Sequence, residues 1–362
     1  MTKDLSRKDA KAQSCCLIAF LFLGVLCTII GACGTTQTQT KLMPAWVNEL
    51  ESVYPSKDWV AVVVSAPTQN QAESEAMNSL ARVFRTDIAA LTQMSQNFTQ
   101  IIDNSQGSRS ITFNEAQNFS QEVQTSTNVQ GLIGVQIEVY RSPNGEVFVN
   151  ARMNRRDCAA RYSGMIRENT AIIERLLSST TPIAGSFDIY SRLSFAHSLA
   201  QVTDNFQNIL EVLDPTAVNR KPSYGTANAI RTKLLECANL ITIGIAVNTE
   251  QEADRILFTR AIGSFFRDLG FRVNENGIGN YTLKANIHFE TITQSVISCR
   301  YFFDAVLENQ NGTAVFSFTE DNRKAHHNNA SEARRLAVRA VEASIKEGQF
   351  AKEFHTWINS LI

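Results

Sequence analysis

Few side chains in this 362-residue sequence stand in patterns that could do chemistry. The densest group is Arg323-Lys324-Ala325-His326-His327-Asn328-Asn329, immediately ahead of a predicted helix. Cations and imidazoles at a helix start could take an anion, because first-turn N–H groups have no intrahelical partner. They could also take a metal, but adjacent histidines without a carboxylate beside them fall short of the usual ligand set. The segment therefore reads as a solvated basic loop, and Arg323, Lys324, His326 and His327 are a candidate partner-binding surface. Gly277-Ile278-Gly279 follows a short predicted strand, but no helix opens after it, so a phosphate cradle has no support. His197 sits within a predicted helix with no Cys, Asp or Glu at ligand spacing and reads as structural. The sequence has no Gly-x-Gly-x-x-Gly, Walker loop, Gly-x-Ser-x-Gly elbow, Cys-x-x-Cys or His-Glu-x-x-His. It predicts no catalytic residue, no metal site and no dissociable cofactor.

One cysteine stands apart. Leu17 to Cys33 is an apolar run ending in Ile30-Gly31-Ala32-Cys33, preceded by Lys3, Arg7, Lys8 and Lys11 and followed at once by a Thr/Gln tract. A charged start, a short apolar run and small residues before a cut describe a secretory signal peptide. The small pair directly before a cysteine resembles the bacterial lipobox. That resemblance implies cleavage between Ala32 and Cys33, with Cys33 as the mature N-terminus carrying covalent lipid on its sulfur. The other reading is an uncleaved anchor helix, but a full span takes about 20 apolar residues, and this run is shorter and interrupted by Gly24, Thr28 and Gly31. Either way the remainder is tethered to a membrane outside the cytoplasm.

Composition bounds the function classes. The formal net charge is −1, with 44% hydrophobic and 19% charged residues, the profile of a globular protein. The leader holds four cations and two acids, so the remainder carries −3. A near-neutral chain lacks the basic footprint of a nucleic-acid binder. Cys15, Cys16 and Cys27 leave with the leader and Cys33 takes lipid, so Cys158, Cys237 and Cys299 remain. An oxidising compartment permits one disulfide, with Cys237 and Cys299 the pair sharing a predicted domain. Three buried thiols are the other reading, since free cysteine behaves as a small hydrophobe.

The chain then divides. After a polar tether (33–43), Trp59 to Val64 predicts a buried strand, and Ala72, Ala76, Leu80, Val83, Phe84, Ile88 and Leu91 a helix at three-and-four spacing. Low-polarity signals fade in the Gln/Asn/Ser-rich stretch 92–126, where a strand near 97–102 is expected and 113–126 reads as either a strand or a polar helix. Leu132 to Tyr140 and Glu146 to Met153, joined by Ser142-Pro143-Asn144-Gly145, predict a hairpin. The order Pro44-x-Trp46-Val47, Tyr54-Pro55, Gln71-Ala72-Glu73-Ser74-Glu75-Ala76, Gly134-Val135-x-Ile137, Pro143-Asn144-Gly145 and Val149-x-Ala151-Arg152-Met153-Asn154-Arg155 resembles the Lpp-twenty family of bacterial outer-membrane lipoproteins. The resemblance spans about 44–177 and implies a small α+β domain on the outer membrane with no catalytic residues.

Two long helices are predicted next, over Arg156 to Ser179 and Phe187 to Leu213, with a boundary at 219–225. The rest reads as helix, strand, helix and four strands, closed by a helix from Asn329 with Glu332 as a capping box. The predicted fold class is α+β: two α+β domains (44–154 and 226–362), each with helix packed on mainly antiparallel sheet, joined by a helical hairpin and linker (155–225), after a lipoprotein signal peptide (1–32). The second domain is faintly similar to lipoproteins that activate murein synthases and to curli secretion-channel lipoproteins, an analogy of fold alone. The expectation is a non-enzymatic envelope lipoprotein, anchored by lipid and binding other envelope proteins as a scaffold. The alternative is an assembly regulator of peptidoglycan synthesis or of a secretion channel.

Overall fold

β-branched residues dictate the first sheet. The computed structural model describes residues 42–84, 132–178, 185–219, 222–293 and 297–361. The signal segment, Cys33 and the elements expected within 92–126 lie outside the described residues. The run Trp59–Ala66 forms β1, and Gln136–Arg141 (β2) and Val147–Asn154 (β3) form the predicted hairpin, with Gly145 at φ 90° in its turn. The strands are antiparallel in the order β1-β3-β2. Val147, Val149, Ala151 and Met153 point to one face and are fully buried under a helix that follows the single turn α1 (Leu50–Val53) and β1, α2 (Gln69–Val83). Ala72 and Ala76 lie at the contact with no exposure; a methyl side chain lets helix and sheet approach closely. The strand predicted from Leu132 begins four residues later, because Gly134 turns the chain at φ 85°.

Two long helices follow, α3 (Arg155–Ser178) and α4 (Phe187–Leu213). Helix α4 is apolar on most of its circumference, and such a helix is stable only when packed on several sides. Near one end, Phe206 meets Tyr162 edge-on, and the Tyr162 hydroxyl accepts a hydrogen bond from Ile133 N at 2.9 Å. At the other end Phe187 packs on Phe271, Tyr281, Phe354 and Trp357. Arg155 fastens the helix's C-terminal end: its guanidinium donates to the Val212 and Leu213 carbonyls and to Ser56 O. The predicted boundary falls beside a segment tied back to this hairpin, with Ser223 bonded to Glu174 and the Tyr224 hydroxyl to Asp204.

The remaining elements are α5 (Ala227–Leu240), β4 (Thr242–Asn248), α6 (Glu252–Asp268), β5 (Arg272–Asn274), β6 (Tyr281–Thr293), β7 (Ile297–Asn309), β8 (Ala314–His326), α7 (Ala330–Lys346) and α8 (Gln349–Asn359). The strands order as β5-β4-β6-β7-β8. Strand β4 runs parallel to both neighbours and the other pairings are antiparallel, so the sheet is mixed. Helices α6, α7 and α8 pack on one face. The fold class is α+β, as the residue pattern predicts. Gly270 ends α6 at φ 88° with paired bonds, Phe271 N to Phe266 O and Gly270 N to Arg267 O, and with the two phenylalanines in contact. That combination satisfies two orphan carbonyls and defines a Schellman cap.

The last helix predicted as continuous is broken. Glu347 N and Gly348 N both turn back to Ala343 O, and Phe350 N bonds to Ser344 Oγ. A Cβ at Gly348 would lie 2.6 Å from Ser344 Cα, so only glycine allows this kink. The break swings Phe350 and Phe354 into the aromatic core, where both are fully buried.

Gly277-Ile278-Gly279 also finds its role here. The connection from β5 to β6 crosses β4 on the face away from the helices. A Cβ on Gly244 would stand 2.5 Å from the Gly277 carbonyl carbon, and one on Gly279 would strike the Thr242 carbonyl. Asn280 holds the strap in place by accepting from Thr242 N at 3.0 Å. A crossover between parallel strands ordinarily takes a dozen residues or more; six suffice because glycines stand above and below the crossing. Gly244→Ala should therefore destabilise the protein by about 1–3 kcal/mol, read as a lowered urea midpoint with unchanged slope. An unchanged midpoint would mean that the strap is not tightly seated.

Candidate functional site

The basic segment before α7 is a strand, not the solvated loop its composition suggests. Arg323, Lys324 and His326 belong to β8, opposite Tyr301, Arg300 and Ser298 of β7. Strand alternation separates them. Arg323 projects to the helix-covered side, where its Nε lies 3.4 Å from Glu320, whereas Lys324 and His326 project from the open face. His327 is the first residue beyond the strand; its Nδ1 accepts from Asn329 N at 3.1 Å. Asn329 caps α7, accepting from Ser331 N and Glu332 N. The capping box is half made, because the Glu332 carboxylate turns to Arg335 instead of back to Asn329. The four predicted surface residues thus split into an exposed arginine paired with buried Glu320, an open-face pair and a helix-start histidine. Ala32 and Cys33 lie outside the described residues.

The most fully built polar site was not among the predicted residues. It covers the face of the first sheet opposite α2. Glu138, on β2, accepts from Trp46 Nε1 at 2.9 Å, Tyr54 Oη at 3.2 Å and Arg152 at 2.8 Å. The Arg152 guanidinium also lies 4.5 Å from the centre of the Tyr54 ring, a favourable cation–π placement. Burial works to raise the Glu138 carboxyl, but the bonds from Trp46, Arg152 and Tyr54 and the Arg152 charge outweigh it and hold the group below the ordinary carboxylate range. Trp46 is 3% exposed, so Glu138 clamps the short turn Ala45–Val47 onto the sheet. Asn150, directly opposite Glu138 in the ladder, is fully buried, and neither amide atom has a hydrogen-bond partner.

The other buried charges are similarly engaged within the fold. Glu320 accepts from Ser344 Oγ at 2.5 Å and from Tyr301 Oη at 3.4 Å. Burial first, and the Glu320 charge second, push the Tyr301 phenol up to about 12. Asp254 accepts from Arg334 at 2.6 Å, and that guanidinium covers the Phe289 ring. Asp204 accepts from Ala227 N at the start of α5, while His197 Nδ1 lies 3.1 Å from Ala227 O; the histidine ties α4 to α5 and touches no ligand set. Cys158, Cys237 and Cys299 are free buried thiols, raised by burial, so the Cys237–Cys299 disulfide is not formed. Among the described residues no group of three or more His, Cys, Asp or Glu converges as a metal cage would require. A cavity of about 230 Å³ between α3 and α4, lined by Ile166, Leu210, Ala217, Arg167 and Glu211, is smaller than the roughly 300–1,000 Å³ of small-molecule pockets. No described helix is long and apolar enough to cross a membrane.

No protein-family model and no curated protein sequence matches the chain. Among solved structures it is similar to the secreted protein HP1454 from Helicobacter pylori, with a TM-score of 0.34 and 13% identity over 82% of this chain and 97% of that one. It is also similar to a minor lipoprotein from Acinetobacter baumannii, with a TM-score of 0.22 and 10% identity over 33% of this chain and 90% of that one. Scores at this level leave the fold to be described from its own geometry.

The Glu138 clamp has a measurable pH signature. A carboxyl depressed in the folded state adds stability above its unfolded value, and that contribution disappears as pH falls through the folded value. Glu138→Ala leaves the buried Trp46 N–H without its acceptor and should cost about 1–3 kcal/mol at neutral pH. The gap from wild type should narrow below about pH 4, followed by denaturant titration at several pH values. A gap that stays constant into acid would show that the charge is not what holds the clamp.

Proposed function

We propose that this chain is a bacterial envelope lipoprotein, held to a membrane by lipid on Cys33, that acts by binding other envelope proteins and not by catalysis. The observation that carries the reading is the sequence from Leu17 to Cys33, with its cationic lead, apolar run and Gly31-Ala32 directly before the cysteine. The arrangement downstream supports it. One compact unit runs from Met43 to Ile362, and the sequence between it and the cysteine, 34–42, is a Thr/Gln tract. Such a tract is a flexible spacer that lets a tethered domain stand clear of lipid headgroups. The buried charges are neutralised by partners inside the fold, as befits groups that fasten elements together. The Lpp-twenty resemblance, with Trp46, Tyr54 and Arg152 among its matched residues, belongs to the same proposal, as does an outer-membrane location.

Lipidation is the decisive test. A single acyl chain binds a bilayer only marginally, whereas two or more anchor stably. Metabolic labelling with an alkynyl fatty acid should mark the wild-type protein and leave Cys33→Ala unlabelled. The variant should also either accumulate as uncut precursor or appear outside the membrane fraction. An unlabelled wild-type protein, or a mature N-terminus other than Cys33 by mass spectrometry, would reject the lipoprotein reading.

A further inference from the structure

We infer that Arg300 and Lys324, with His326 beside them, receive a carboxylate presented by an acidic partner protein. The inference rests on the surface-binding reading above and names the chemistry of one surface. Arg300 on β7 pairs directly with Lys324 on β8, and Ser298 with His326. Residues opposite one another in a ladder share a face, with Cβ atoms about 4.5–5.5 Å apart. The intervening Cys299 and Tyr301 are buried toward the helices, so Arg300, Lys324 and His326 all project from the open side. Like charges directly opposite destabilise a sheet, and among the described residues the one acid close to the pair is Glu290, on the far side of Arg300 from Lys324.

The ion pairing nearby makes the surplus plain. Arg323 has Glu320, Arg334 has Asp254 and Arg335 has Glu332. Among the described residues Arg300 reaches only Glu290, its ladder neighbour on β6, at 3.5 Å, longer than the roughly 2.7–2.9 Å of a charge-assisted hydrogen bond. Its Nε is buried and has no acceptor among the described residues. Lys324 is exposed and makes no ion pair among the described residues. A carboxylate above the sheet could accept from the exposed part of the Arg300 guanidinium and from Lys324 Nζ together. Beyond Asn286, β6 no longer pairs with β4, so this end of the sheet projects as three strands. Phe302 and His288, their ring centres 6.0 Å apart, form an aromatic shelf beside the cations on the same face. Glu250 already engages His288 and is not available to Lys324. A protein carboxylate fits better than a membrane, because the chain beyond the leader carries −3 and membrane-binding basic segments use clusters of about 4–8 cations.

The probe is a fluorescein-labelled hexaglutamate peptide, titrated by polarisation against the detergent-solubilised full chain at about 20 mM salt, where exposed charges are least screened. Wild type should bind it and release it as salt rises. Lys324→Glu should abolish binding with little change in melting temperature, because the side chain is exposed. Arg300→Gln should weaken it about fivefold, and Glu290→Gln, which frees Arg300, should tighten it. Inorganic phosphate at matched charge should not displace the peptide. Vesicles of phosphatidylglycerol and phosphatidylethanolamine should show no Lys324-dependent binding. Peptide binding that is absent, or indifferent to Lys324→Glu, overturns the proposal; phosphate or vesicles bound with the same dependence on Lys324 would reassign the patch to a free anion or a lipid. Fatty-acid labelling at Cys33 is read separately, so the anchor reading and this one fail independently.

Discussion

The structure depends on the burial of α4. Phe187, Leu193, Phe195, Leu199, Phe206 and Ile209 are all almost wholly enclosed, and no single sheet could cover them. One end needs α3 and the elements around Tyr162; the other needs β5, β6 and α8. The two fully buried polar side chains on this helix are paired within the fold: Ser191 donates to Ile358 O at 2.6 Å, and Thr203 accepts from Asn169 at 3.0 Å. Buried hydroxyls paired in this way cost the fold little, whereas each one left unmade would cost about 1–3 kcal/mol. The C-terminal helix therefore depends on α4 both by aromatic packing and by a direct hydrogen bond.

Charge is used in a complementary way. Glu138, Glu320 and Asp254 each join elements distant in sequence, and each does so with more than one favourable contact at the site. Asp204 is different. Burial raises its carboxyl above the ordinary value, and its bonds to Ala227 N and Tyr224 only partly offset that. A carboxyl raised on folding subtracts stability as pH climbs through its range, so this capping position at α5 is held at some expense. The fold tolerates it because the N–H it satisfies would otherwise be an orphan.

How far residue patterns reached depended on the kind of order involved. The ends of α4 follow from Ser186 and Asp214-Pro215, because a cap and a proline act locally. The β2–β3 register follows from the Asn-Gly turn, and counting back from it sets Glu138 opposite Asn150. Yet nothing local says that Trp46 and Tyr54 will fold over that carboxylate; the signal available was a lone acid alternating with Ile137 and Val139 in a strand. The β7–β8 pairing defeats counting altogether. Register shifts between Leu307 and Glu308 and between Tyr301 and Phe303 move the partners, so the juxtaposition of Arg300 with Lys324 cannot be counted from the turn at 309–312. Arg323 to His326 extend a strand where composition suggests a loop because they pair with Tyr301 to Ser298 of β7. Parallel pairing of β4 and the kink at Gly348 are likewise tertiary outcomes, imposed by what the helices must cover.

The strap over β4 carries a consequence for the order of assembly. Strands β5 and β6 are neighbours in sequence but have β4 between them, and the segment joining them lies across that strand. A hairpin-like encounter of β5 with β6 would shut β4 out of its place. The productive route therefore seats β4 before β6 docks, after which the strap closes over Gly244 and fixes the result. The direction of the chain favours this route, since β4 precedes β6 and α6 can hold it while the next strands arrive. The glycines at 244, 277 and 279 thus do more than fit a tight crossing: they keep the last closing movement free of side chains that would have to clear one another.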